Sequence, residues 1–267
     1  MMKTLSVSLR FVLVVFVVGV CAGGCAKPGT RVSVLTYNIY HGEDAHGGSN
    51  LDAVAGIINS LKPDLVALQE VDNKTTRVKG LDLTAELSRR TGMQGIFGKA
   101  MDYAGGEYGE AVLCRHRVLD VKNNPLPHSP KAEPRAALEV HVELPGGERI
   151  VFVGTHLDHV RDQTDRMMQA GRIVELFEDV DLPVILAGDL NAVPGSDPIE
   201  LLRRQWTCAD PNDPEPTSPS AGPKRKIDYI LFKPSRRWKV LTTQVIDDKV
   251  TSDHCPVYAV LELQPES

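Results

Sequence analysis

Cysteine is scarce: five residues, of which only Cys114, Cys208 and Cys255 lie beyond residue 25. An odd, sparse set excludes a scaffold built from disulfides. It leaves at most one bridge open, and no spacing suggests zinc. A basic excess is also missing. Residues 26–267 carry 28 Lys plus Arg against 35 Asp plus Glu, a net −7. Broad polyanion binders present a basic field, so broad nucleic-acid binding is not expected. No apolar run reaches the roughly 18–20 residues that span a bilayer. Internal repeats, low-complexity tracts and a Gly-x-Ser-x-Gly nucleophile elbow are absent, and the last absence disfavours a serine hydrolase. What remains is a 267-residue chain, 42% hydrophobic and 24% charged. That is ordinary globular composition, enough for one large α/β domain, expected to be a monomer.

The one composition shift is at the start. Residues 1–25 hold Lys3 and Arg10, then an apolar run from Phe11 to Val20, then small residues. This is the pattern of a secretory signal. Ala22-Gly23-Gly24 before Cys25 resembles a bacterial lipoprotein cleavage site, which implies a lipid anchor at Cys25. The expectation is an exported protein of the periplasm or cell envelope, with residues 26–267 as its single domain.

Short β-type runs alternate with amphipathic stretches. Strands are expected at 31–37, 65–70, 108–115, 118–122, 135–142, 149–157, 184–187, 227–232, 238–245 and 257–263. Helices are expected at 51–61, 82–90 and 163–180, each with apolar residues recurring on one face. Lys62-Pro63 and Thr91-Gly92 punctuate the first two. Asp210 to Pro223 is proline-rich and reads as a loop. Strands joined by hairpins and strands joined by helices together argue for α/β layers with more than one sheet.

Polar residues stand at the ends of the apolar strands: Asn38, Glu70, His156, Asp189 with Asn191, Asp228, and Asp253 with His254. One such placement means little, because turns and caps favour the same residues. Six in one chain, rich in carboxylate, amide and imidazole, point to one cleft. The residue types suit phosphoester hydrolysis, which needs charge neutralised on the phosphate oxygens and a positioned water. Mg²⁺ does the first and prefers oxygen ligands.

The segments Leu35-Thr36-Tyr37-Asn38-Ile39, Leu68-Gln69-Glu70-Val71, Gly154-Thr155-His156-Leu157, Gly188-Asp189-Leu190-Asn191, Ile227-Asp228-Tyr229-Ile230 and Ser252-Asp253-His254-Cys255-Pro256-Val257 stand in this order. Together they resemble the endonuclease/exonuclease/phosphatase (DNase I-like) superfamily over about Arg31 to Leu263. The resemblance implies an α/β four-layer sandwich, two mixed β-sheets face to face with helices outside. It implies Mg²⁺, or Mn²⁺, held by Glu70 and Asp253 with Asn38 beside them. It further implies Asp189 as the base that activates water, Asn191 orienting that water, and His254 contacting the phosphate while held by Asp228. His156 becomes the second phosphate-contacting histidine. Arg135, after Glu133-Pro134, is a candidate phosphate contact. The expected activity is hydrolysis of a lipid head group, glycolipid or small phosphoester, with a secreted DNase-like endonuclease as the alternative.

Glu70-Val71-Asp72 with Thr76-Arg77, and Gly105 to Leu113, resemble a subgroup of small exported bacterial members. Glu110 departs from it, standing where that subgroup has Asn. An extra carboxylate near the cleft would disfavour a highly anionic substrate. Two other classes compete. Gly154-Thr155-His156-Leu157-Asp158-His159 is similar to the His-x-His-x-Asp-His box of binuclear zinc hydrolases, without its first histidine. A non-catalytic binding module would be expected to have lost the metal or base residues, which are all here.

Overall fold

The computed structural model describes residues 29–210 and 215–266. The expected signal segment and the Cys25 anchor lie outside these residues. Two mixed sheets of six strands carry the fold. The first runs in the order β11 (Trp238–Val245), β12 (Val257–Leu263), β1 (Thr30–Asn38), β2 (Leu65–Asn73), β4 (Gly106–Cys114), β3 (Gln94–Tyr103). The second runs β5 (Arg117–Leu126), β6 (Arg135–Glu143), β7 (Arg149–His156), β8 (Val184–Asp189), β10 (Asp228–Lys233), β9 (Thr207–Cys208).

Each sheet is built around one parallel pair with a helical crossover. Helix α1 (Leu51–Leu61) joins β1 to β2, and α3 (Thr164–Phe177) joins β7 to β8. Helix α1 stops at Lys62, left-handed at φ +50°, because Pro63 forbids a further turn. Helix α2 (Leu83–Thr91) begins where the Asp82 carboxylate accepts the Ala85 amide and ends at Gly92, φ +66°. Helix α4 (Asp197–Arg203) packs beside α3.

Alternation along the strands sorts side chains into three apolar layers. Val32, Val34, Leu65 and Val112 face Leu138, Val140, Phe152 and Ile185 between the sheets. Leu35, Val66 and Leu68 meet Val54, Ile58 and Leu87 under α1 and α2. Val151, Val153 and Leu186 meet Ala170, Ile173 and Leu202 under α3 and α4. The result is the expected four-layer sandwich. Phe152, with no exposed surface, sits in the middle layer, so Phe152→Ala would cost about 3–5 kcal/mol. Cys114, Cys208 and Cys255 are all free and buried, and no bridge joins them.

Strand β3, helix α4 and the two-residue β9 escape a reading of the sequence pattern. Strand β3 carries Gly95 and Gly98 and lacks clean alternation. Its glycines are set by neighbours: a Cβ on Gly95 would lie 2.9 Å from Thr84, and one on Gly98 3.0 Å from Leu138. Helix α4 has seven residues with proline in its first turn, too short to show a period.

Candidate active site

The parallel pairs end at the same edge of the sandwich, and register does the rest. In the second sheet His156 pairs with Asp189, and Asp189 pairs with Asp228 across the next strand. Three residues far apart in the chain thus become lateral neighbours. In the first sheet Asn38 lies beside Gln69, and β2 bulges so that Gln69 and Glu70 together oppose Glu110. The bulge puts Glu70 at φ +57° and re-aims its side chain. Asn191 (φ +48°), Tyr40 (+47°) and His41 (+43°) share this left-handed geometry. Such strain in non-glycine residues clusters where geometry is imposed by function.

Asp189 is the hub. Its Oδ1 accepts the Asn191 backbone amide at 2.9 Å. Its Oδ2 accepts Asn38 Nδ2 at 3.3 Å and stands 3.5 Å from His156 Nε2 and 3.7 Å from His254 Nε2. Burial first, then the Asp228 carboxylate, hold Asp189 above the usual carboxylate range, which favours a base over a spectator. Asn38 gives a second hydrogen bond, 3.1 Å, to Glu70 Oε1, while its own oxygen takes the Tyr40 amide. It therefore ties the two carboxylates together as a donor.

The two histidines differ in what stands behind them. His254 Nδ1 lies 2.9 Å from Asp228 Oδ2. Burial opposes its charge, but Asp228 outweighs it and the imidazole is pushed up to about 10. His156 Nδ1 lies 2.8 Å from a guanidinium nitrogen of Arg135. Arginine can only donate, so Nδ1 accepts and Nε2 carries the proton. Asn191 Nδ2 then gives its hydrogen bond to the Leu157 carbonyl at 3.0 Å. Burial first, and Arg135 next, hold His156 well below the ordinary imidazole range.

Glu70 remains ionised. Burial works against its charge, but hydrogen bonds from His41 and Asn38 and the charge of His254 outweigh that and bring it down to about 2. Asp253, at the exposed rim, is raised by partial burial and then by the Glu70 carboxylate. This oxygen-rich pair with a net negative charge suits a hard divalent cation. Asp189, Asp228 and His254 form a tighter set, with one ligating atom each within 4.8 Å of the others. The pairing of His254 with Asp228 makes that set fit an ion-pair network as well as a metal.

All the sequence-predicted residues reach this edge, but Arg135 and Glu110 sit deeper than expected. Arg135 is 2% exposed, with its nitrogens turned to His156, to His159 at 3.3 Å and to Glu133 at 3.4 Å. A cation donating to both His156 and His159 also occupies the place where the rival zinc box would need a metal. Glu110 has no exposed surface and neither carboxylate oxygen finds a hydrogen-bond partner. Burial pushes it up to about 8. Where the extra carboxylate was expected near the cleft, it lies off the cleft wall, and burial favours its neutral form. His41, His159 and Tyr108 line or touch the site without standing in any of the six motifs; for Tyr108 the only signal was its place in the Gly105–Leu113 segment.

Residues 35–254 match the family model described as "Endonuclease/Exonuclease/phosphatase family". Over 169 residues the chain is 24% identical to a 5′-tyrosyl-DNA phosphodiesterase of Caenorhabditis elegans, a match covering 61% of this chain and 43% of that protein. The chain thus spans under half the length of this curated relative. Among solved structures, an endonuclease/exonuclease/phosphatase from Beutenbergia cavernae is 26% identical with a TM-score of 0.74, over 88% of this chain and 72% of the other. A mannosyl-6-phosphatase from Bacteroides thetaiotaomicron is 20% identical with a TM-score of 0.71, over 86% and 99%, and shares the fold.

Proposed function

The chain belongs to the endonuclease/exonuclease/phosphatase family, whose members hydrolyse phosphoester bonds, and from this premise we propose an exported Mg²⁺-dependent phosphoesterase of the cell envelope. Its substrate in this reading is a lipid head group, glycolipid or small phosphoester. The observation that carries it is Asp189: a buried carboxylate of raised proton affinity, braced by Asn191 and flanked by two imidazole Nε2 atoms.

Asp189 takes the proton of the attacking water, and Asn191, held by the Leu157 carbonyl, sets where that water lies. His254, a cation on Asp228, and His156, neutral on Arg135, donate Nε2–H to the phosphate oxygens. Glu70 and Asp253 would hold Mg²⁺, or Mn²⁺, which when bound neutralises phosphate charge. A single domain working as a monomer, anchored through a lipid at Cys25, completes the proposal. The net −7 of residues 26–267 supports a small or lipid-borne substrate over duplex DNA. The likeness to the tyrosyl-DNA phosphodiesterase favours the second reading, a secreted nuclease.

Side-by-side assays on plasmid DNA, sphingomyelin-type lipids and inositol phosphates, each with Mg²⁺ and with chelator, test this. Turnover that survives chelation, or Asp189→Asn with near-native turnover, overturns it.

A further inference from the structure

Hydrolysis by this geometry has a direction. In-line displacement at phosphorus sets the attacking and leaving oxygens on opposite sides. With water taken up at Asp189 and Asn191, Glu70, the second carboxylate that Asn38 binds, is left to face the leaving group. Beyond Glu70 lies a second cavity of about 230 Å³, next to the catalytic cleft of about 290 Å³.

The two cavities share walls at two points. His41 lines the second and brings Nδ1 to 3.5 Å from Glu70 Oε2 in the first. Arg77 lines the second and stacks against Tyr108 of the first, 5.6 Å from its ring centroid. That ridge is rigid, because Asp72 grips Arg77 through two 2.7 Å hydrogen bonds and Tyr103 stacks on it at 4.8 Å. The surrounding loops hold Tyr40, His41 and Lys79 at positive φ (47°, 43° and 57°), so the cavity is preformed.

Its chemistry is two-sided. Leu81, 45% exposed, gives its lining apolar surface, and the buried Leu83 backs it. Arg77 has its charge met by Asp72, and Glu43 lies 3.6 Å from His41 Nε2. Lys79 at the rim is exposed and has no ion-pair partner among the described residues.

We infer that this cavity is the leaving-group subsite and takes an alcohol with an apolar chain and an anionic end. The inference rests on the phosphoesterase reading and names its substrate class. In the reaction, the water oxygen bonds to phosphorus and gives its proton to Asp189. The bond from phosphorus to the alcohol oxygen breaks, and that oxygen leaves with the electron pair and is protonated by solvent beside Glu70. The chain of the alcohol lies against Leu81, and its anionic end meets Lys79.

The test uses n-alkyl phosphates from ethyl to hexyl and 6-carboxyhexyl phosphate, each also as its methyl diester, with alcohol release measured. These alcohols have nearly equal basicity, so chain length reports binding. In the native enzyme kcat/KM rises about fourfold per methylene while the chain is being buried. The carboxyl end adds roughly two- to fivefold, the size of an exposed ion pair. Leu81→Ser flattens the hexyl-to-ethyl ratio, and Lys79→Glu reverses the carboxyl preference. A second arm needs no turnover: 7-hydroxyheptanoate, the product alcohol of 6-carboxyhexyl phosphate, should shift the amide NMR signals of residues 41–43 and 77–83 in the metal-free protein, and less so in Lys79→Glu. Chain-length independence in the native enzyme, ratios unmoved in both variants, or no shifts at those amides overturns the subsite. Loss of all turnover with the amide shifts intact instead counts against the phosphoesterase reading and leaves the subsite standing.

Discussion

His254 and His156 reach the same carboxylate at similar depth, 7% and 3% exposed, yet they hold opposite charge states. Behind His254 is Asp228, and behind His156 is Arg135. Burial alone would neutralise both. An anion within 3 Å overrides that for His254, and a cation at the same distance reinforces it for His156. The cleft thus gains one cationic and one neutral donor from the same side chain. What differs is the partner that each strand brings from elsewhere in the chain.

The comparison breaks most completely if the shared carboxylate goes. Asp189→Asn is expected to lower kcat on the order of 10³–10⁴-fold while leaving the far-UV circular dichroism intact. Removing the anion from one side comes next. Asp228→Asn should cost about 10²–10³-fold in kcat. Imidazole ¹⁵N shifts at pH 8 in the metal-free protein should show His254 doubly protonated in the native chain and singly protonated in the variant. On the other side, Arg135→Gln withdraws the donor that fixes the His156 tautomer. A loss of roughly ten- to hundredfold is expected, the size of a hydrogen bond to a charged group. His156 should then titrate closer to neutral pH, and an unchanged His156 titration would dissolve the contrast.

The last prediction concerns stability and Glu110, the unpartnered acid beside Arg135. Its folded-state pKa of about 8 lies above the unfolded value of 4.5. Between those values the unfolded chain binds fewer protons, so stability falls as pH rises, by up to about 1.4 kcal/mol per pH unit. Glu110→Gln keeps the shape and cannot ionise. Its Tm should match the native protein near pH 4.5 and exceed it increasingly toward pH 8. Parallel Tm curves would mean that Glu110 is ionised and paired after all.

Much of this architecture is readable along the chain. Leu51–Leu61, Trp238–Val245 and Val257–Leu263 are found at the expected bounds, because a three-turn apolar face and two-residue alternation are strong local signals. Strand β3 was invisible because its two glycines answer to Thr84 and Leu138, contacts with no trace in neighbouring residues. Strand β2 runs three residues past its expected end at Glu70, and β8 two past its expected end at Ala187. Thr217, inside the proline-rich stretch that reads as a loop, is buried and accepts the Ile227 and Asp228 amides. Lys226, a charged residue just beyond that stretch, is buried against Asp210.

Residue types and strand periods by themselves determined the layers, the motif residues and the chemistry those residues can perform. The tertiary structure alone decided their electrical states: an ionised Glu70, a neutral Glu110 directly across the bulge, a charged His254 and an uncharged His156. The reason is physical. Periodicity is written in near neighbours, whereas a proton's affinity depends on desolvation and on charges a few ångströms away in space, which here come from strands up to more than a hundred residues distant.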